Sequence, residues 1–218
     1  KPIPVEVFEP VKDKVTEWFK TRGISQQTLD DLYVTTGEEF MPQTGQKENT
    51  IQFNYIMGDE LVNIKYRDGR KNFKLYKGAE KIFYNINSIV GYDWCVIVEG
   101  EMDALALHEA GIKNVVSVPN GATLNSNNLD YLDNCIDYFE DKEKVILAVD
   151  ADEAGQALRY EFIRRLGAEV CYLVDFNGNK DANDFLIEHG EEELRKVITQ
   201  STQVPLEGVS TLRDLEAD

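Results

Sequence analysis

From residue 91 onward the chain alternates short apolar runs with longer amphipathic ones, and this rhythm restricts the fold more than any other feature. "DWCVIVEG", "KNVVSVPNG", "KVILAVDAD" and "AEVCYLVDF" read as strands. "EMDALALHEAG", "LDYLDNCIDYFED", "EAGQALRYEFIRRLG" and the pair "ANDFLIEHG" and "EEELRKVITQ" read as helices; the second places Leu129, Leu132, Ile136 and Phe139 on one face. Apolar strands separated by amphipathic helices form βαβ units, so an α/β domain with a central parallel sheet flanked by helices is expected over residues 91–200. Ligands of such sheets bind beyond the carboxyl ends of the strands.

The first 90 residues follow other periods. "VKDKVTEWFKTRG" groups Val11, Val15, Trp18 and Phe19 on a helical face that Gly23 ends, and Ser25 is a natural N-cap for "SQQTLDDLY". Between about residues 50 and 85 the period becomes two, in "TIQFNYIM", "ELVNIKYR" and "KNFKLYK", joined by the hairpin signals Gly58-Asp59 and Asp68-Gly69. An α+β N-terminal subdomain over 1–90, with an antiparallel meander and a basic outer face, is therefore expected. Residues 201–218 are polar and unpatterned and read as a linker.

Charge is distributed unevenly. The net charge is −17, yet residues 61–81 hold seven Lys/Arg against two Asp/Glu, a local +5 that leaves −22 for the rest. The bulk value counts against a non-specific nucleic-acid binder, but a basic ribbon beside an acidic body is an informative asymmetry. Cys95, Cys135 and Cys171 are isolated, with no C-x-x-C pair, so neither a zinc ribbon nor a redox motif is encoded, and free thiols accord with a cytoplasmic location. No apolar run approaches the roughly 20 residues of a membrane span, and "KPIPVEVFEP" lacks a secretory h-region, so no membrane association is expected.

Acidic residues collect where the strands should end. Glu99-Gly100-Glu101 follows the first, Pro119-Asn120-Gly121 the second, Asp150 and Asp152 the third, and Lys180, Asp181 and Asp184 the fourth. Asp150 and Asp152 share one side if the strand continues that far. An oxygen-only cluster suits Mg²⁺ or Mn²⁺, and no His or Cys has the spacing of zinc ligands. The same acids also fit as helix caps and first-turn residues, Asp152 and Glu153 before "AGQALRYEF" and Glu101 and Asp103 after Gly100. His108 reads as structural, and His189 as a helix C-terminal residue complementing the dipole. Trp18 and Trp94 read as packing anchors. Tyr55, Tyr66, Phe73 and Tyr76 read mostly as core, with base stacking open to any that lie on the basic face.

These residues also match a family pattern. "VIVEGEMDALAL" followed by "ILAVDADEAGQAL" resembles the Toprim domain of primases and topoisomerases, with its glutamate after the first core strand and D-x-D after the third. "VPNGAT" and "KDANDFL" resemble the branch of phage primase–helicases and mitochondrial Twinkle, and "KYRDGRKNFK" and "WFKTRGISQQTL" are similar to the segments that precede Toprim there. The resemblance covers nearly the whole chain. It implies a metal-dependent DNA primase core that makes short RNA primers on single-stranded DNA. Glu99 is then a metal ligand or general acid/base, Asp150 and Asp152 are ligands, and Asp181 is a further ligand, for Mg²⁺ or Mn²⁺. Lys65, Arg67, Lys71 and Lys74 would hold nucleoside triphosphates or template phosphates, joined by Asn120, Gly121 and Lys180; Gly100 and Gly121 would let backbone approach phosphate. The family's zinc ribbon and helicase are not in this sequence, and "VPLEGVSTLRDLEAD" looks like the linker into a helicase, so the chain reads as the central fragment of a primase–helicase. Strand cleavage of the Toprim nuclease or topoisomerase type, and a catalytically silent scaffold beside a helicase, remain as alternatives. A D-x-D phosphatase fits less well, with Ala154 where that motif takes Thr or Val.

Overall fold

Two β-sheets share one apolar core, and the segment between them forms the seam. The computed structural model describes residues 2–3, 11–121 and 129–205. Helices α1 (Asp13–Thr21) and α2 (Gln26–Asp31) come first. Ser25 caps α2 as expected, its Oγ accepting from the Thr28 N–H at 3.3 Å.

The first sheet has four antiparallel strands in the order β1-β2-β3-β4: β1 (Val34–Met41), β2 (Gln46–Met57), β3 (Glu60–Asp68) and β4 (Phe73–Leu75). The expected meander is β2 to β4, and Gly58, at φ +61°, turns β2 into β3. Strand β1, "VTTGEEFM", was not expected: it is an edge strand whose Thr, Gly and Glu residues carry no apolar alternation, and it is defined by pairing from Val34↔Phe53 to Met41↔Gln46. The edges also approach each other. The Lys74 ammonium donates to Glu39 at 2.6 Å and to the Phe40 carbonyl at 2.8 Å, linking β4 to β1. Met41, Leu61, Ile64 and Tyr66 form a small separate apolar cluster.

The second sheet has the order β6-β5-β7-β8-β9. β5 (Trp94–Val98), β6 (Val115–Ser117), β7 (Lys144–Leu147) and β8 (Cys171–Leu173) are parallel, with α3 (Glu101–Glu109), α4 (Asp130–Asp133), α5 (Glu153–Leu166) and α6 (Ala182–Thr199) between and after them. Gly190, at φ +83°, kinks α6 where two helical runs were expected. Two expectations need correction. The helix read over "LDYLDNCIDYFED" is one α-turn, α4, followed by a 3₁₀ turn at Ile136–Tyr138, which leaves Ile136 38% exposed. Asn134 sits at the break and donates its side-chain amide to the Lys81 carbonyl at 2.9 Å, a tertiary contact that ties the break to the segment before β5. The supposed linker also begins as structure: β9 (Thr202–Gln203) pairs antiparallel with β8, and Val204 packs on the core. Residues 206–218, most of the expected linker, and the end of "VPNGAT" lie outside the described residues.

The seam runs through residues 82–86. Tyr84 exchanges backbone hydrogen bonds with Ser117 of β6, and its ring meets Phe53 and Tyr55 of β2 at centroid distances of 5.9 and 5.2 Å. Phe83 points the other way, edge-on to Tyr131 at 4.9 Å and beside Phe139 and Phe162. No helix among the described residues is long and apolar enough to cross a membrane. Phe83 is fully buried, so Phe83→Ala should cost about 3–5 kcal/mol, read as a lower urea midpoint with an unchanged slope.

Candidate functional site

The carboxyl ends of β5, β7 and β8 form an acidic rim. Glu99 immediately follows β5, and its Oε1 accepts the backbone N–H of Asp150 at 2.9 Å. The tight pairing needs Gly155 in the first turn of α5: a Cβ there would lie 2.2 Å from the Asp150 carbonyl oxygen and 2.6 Å from Glu99 Oε1. Gly100 and Gly121, expected to let backbone approach phosphate, differ: a Cβ at Gly100 would lie 3.0 Å from Asp103 Oδ2, whereas Gly121, at φ +59°, has open space around it.

Strand β7 ends at Leu147, so Asp150 and Asp152 lie in the loop beyond it, and the argument that a continuing strand points both to one side does not apply. Asp150 is largely covered and lies 3.6 Å from the Lys180 ammonium. Burial raises its pKa, Lys180 opposes that rise, and Asp181 and Asp152 add to it. Asp152 caps α5, accepting the Gly155 N–H at 2.9 Å; Asp181 caps α6, accepting the Asp184 N–H at 2.8 Å. Each cap engages one carboxylate oxygen of two. Asp103, read in the sequence as a dipole complement, is a buried member of the same rim. It accepts the Asn183 N–H at 3.1 Å, and burial together with Asp181, Asp150 and Glu99 holds its pKa well above the usual carboxylate range. Its position four residues after Glu99, on the helix that starts at the rim, was the available signal.

Among the described residues no three His, Cys, Asp or Glu side chains close into a ready-made metal group. The donor chemistry nonetheless fits a hard cation. The rim offers only oxygen, burial and then the neighbouring acids raise the pKa values of Asp103 and Asp150, and an ammonium already sits beside Asp150. Mg²⁺ characteristically takes one or two carboxylates and fills its remaining positions with water and substrate phosphates.

The structure divides the four meander cations. Lys65 donates to both oxygens of Glu101 at 2.9 and 3.0 Å, and the Tyr55 hydroxyl donates to the same carboxylate. The Lys65 and Glu101 side chains are only 12% and 5% exposed, so this charge ties the first sheet to α3. Lys74 is paired with Glu39. Arg67 and Lys71 instead line a cleft of about 960 Å³ together with Lys12, Lys14, Arg22 and Trp18. The Arg67 guanidinium lies over the Trp18 ring at 4.7 Å, and burial, then the nearby Arg22 charge, lowers its pKa. Sequence reasoning missed Lys12, Lys14 and Arg22 because it counted charge only along the meander. Of the meander aromatics, Tyr55 and Tyr66 are buried, while Phe73 and Tyr76 are 44% and 41% exposed, Phe73 with the Lys65 ammonium 5.3 Å from its centroid. Asn120 is exposed, three residues beyond the end of β6.

Residues 96–186 match the model of the Toprim-like family. The chain is 36% identical over 216 residues to the primase homolog protein of Arabidopsis thaliana, covering 91% of this chain and 62% of that protein. It is 33% identical over 224 residues to the chloroplastic/mitochondrial Twinkle homolog of the same plant, covering 95% and 31%. The chain therefore spans under two thirds of the first relative and about a third of the second. Among solved structures, the primase fragment of the bacteriophage T7 primase–helicase superposes with a TM-score of 0.71 at 22% identity, covering 91% of this chain and 82% of that one. The RNA polymerase domain of Mycobacterium tuberculosis primase, solved with double-stranded DNA, gives 0.69 at 14% identity, covering 88% and 74%. The shared fold thus takes in the antiparallel sheet as well as the Toprim-like domain.

Glu101→Gln should destabilise the chain by about 3–5 kcal/mol in urea, because it leaves the Lys65 charge buried without its partner, and adding Lys65→Met should recover part of the loss. Gly155→Ala should destabilise the protein by about 1–3 kcal/mol, read as a lower urea midpoint, because the added Cβ has to displace the Asp150 carbonyl and the Glu99 carboxylate.

Proposed function

We propose that this chain is the catalytic core of a DNA primase, a nucleotidyltransferase that joins nucleoside triphosphates into a short primer on a single-stranded DNA template. The observation that carries the reading is the placement of an oxygen-only acidic rim, centred on Glu99 and Asp150, on the same fold as a cleft lined by Arg22, Arg67 and Lys71. The reaction forms a bond from a primer hydroxyl oxygen to the α-phosphorus and breaks the bond to the β-phosphate oxygen, releasing pyrophosphate. Glu99 and Asp150, with Asp152 and Asp181 at the adjoining helix starts, are the residues to hold Mg²⁺ or Mn²⁺, which when bound supplies Lewis-acid stabilisation of the attacking and leaving oxygens.

The chain's own groups prepare that step. The Asp150 N–H fixes the Glu99 carboxylate, and Gly155 keeps the space for it. Lys180 stands beside Asp150 as a cation for the triphosphate. Arg67, braced on Trp18, and Arg22 present guanidinium groups whose mutual repulsion an anionic template relieves. Phe73 offers an exposed face on which a base can stack. A helicase segment is the proposed partner, within the same polypeptide, and the three buried free thiols support a reducing compartment such as the cytoplasm.

The test is primer synthesis on single-stranded oligonucleotides with Mg²⁺ or Mn²⁺. Wild type should make short primers, and Asp150→Asn should lose about a hundredfold or more in rate. Absence of synthesis by wild type at any metal concentration would favour the scaffold reading, in which Asp152 and Asp181 act only as caps. Nicked template would favour strand cleavage. Arg67→Ala should weaken template binding and reduce its salt slope by about one.

A further inference from the structure

The basic cleft and the acidic rim are joined by a pair of side chains, Arg22 and Asn183. Asn183 is 1% exposed, in the first turn of α6, two residues after the Asp181 cap. Its carboxamide oxygen accepts from Arg22 Nε at 2.8 Å, and its carboxamide nitrogen donates to the Arg22 carbonyl at 2.9 Å, across 161 positions of sequence. Its backbone N–H donates to Asp103. Arg22 Nη2 also lies 3.6 Å from Asp184, which holds the other end of the Asp181 cap. The turn that carries Arg22 rests on α6 directly, since a Cβ on Gly23 would lie 3.3 Å from Leu186. The side chain of Arg22 is nevertheless 36% exposed and lines the cleft.

We infer that Arg22 and Asn183 are positioning residues that couple phosphate in the cleft to the geometry of the acidic rim. The inference rests on the primase reading. One guanidinium faces both regions. A phosphate that draws on Arg22 alters its hold on Asn183 and Asp184, and these two set the start of α6 that presents Asp181 and hydrogen-bonds Asp103. A planar fork is needed for this arrangement: a lysine keeps the charge but cannot pair in-plane with the carboxamide while also reaching Asp184. By linkage, template in the cleft and a divalent cation at the rim must then change each other's affinity by the same factor.

The experiment measures Mn²⁺ affinity by electron paramagnetic resonance, with and without a saturating single-stranded DNA oligonucleotide, for wild type, Arg22→Lys and Asn183→Leu. Wild type should bind Mn²⁺ about fivefold or more tightly with oligonucleotide present. Arg22→Lys should bind the oligonucleotide more weakly, which saturation offsets, and should bring that factor close to one. Asn183→Leu, which adds no charge to the rim and removes both side-chain contacts with Arg22, should also bring the factor close to one. A factor that is unchanged in Arg22→Lys, or absent in wild type, overturns the inference. Primer synthesis by wild type separates the two claims: synthesis without coupling sinks this inference alone, whereas a wild type that binds neither Mn²⁺ nor oligonucleotide sinks both.

Discussion

The contact on which the arrangement depends most is the buried meeting of Glu101 with Lys65 and Tyr55. Two charges taken out of water cost several kcal/mol each, and their attraction offsets that cost only when the remaining hydrogen-bonding capacity is also met. Here it is met: Glu101 accepts two hydrogen bonds from Lys65 and one from Tyr55. Apolar packing alone, as at Tyr84 against Phe53 and Tyr55, would tolerate a range of sheet orientations. A carboxylate in the first turn of α3 that must face an ammonium on β3 tolerates few. Glu101 is two residues from Glu99, so the same contact sets where the rim sits relative to the basic cleft.

The rim itself is a managed conflict of like charges. Helix starts relieve part of it, with Asp152 and Asp181 turned to backbone N–H groups at α5 and α6. Lys180 relieves another part beside Asp150. What remains adds to the burial that raises the pKa values of Asp103 and Asp150, and the proposed divalent cation with attached phosphate would relieve it. The cap and ligand readings of these acids therefore do not compete, because a cap occupies one oxygen of a carboxylate.

How much of this was legible in the sequence varied with the range of the interaction. The parallel sheet was legible because strand and helix periods alternate cleanly, and the α2 cap because Ser25 acts within three residues. Strand β1 was hidden, since its evidence is the backbone of β2 rather than its own pattern. The acids of the rim were legible as strand-end residues, but the extended strand that was to align Asp150 with Asp152 stops at Leu147. The partners of Lys65 and Lys74 lie 36 and 35 residues away, and composition gave no means to separate those two from Arg67 and Lys71. Asp103 was legible as a first-turn acid close to Glu99, but its contact with Asn183, 80 residues distant, was not, and neither was the contact of Arg22 with Asn183 across 161 residues.

The central claim is that the Glu99–Asp150 rim takes a divalent cation together with a nucleotide. Anomalous scattering from crystals soaked in Mn²⁺ and a non-hydrolysable nucleoside triphosphate tests it most directly. The account predicts a peak about 2.1 Å from a carboxylate oxygen of Glu99 or Asp150, with a phosphate oxygen completing the coordination and the Lys180 ammonium moved onto the triphosphate. A rim without a peak, while triphosphate or Mn²⁺ binds elsewhere on the chain, would contradict it.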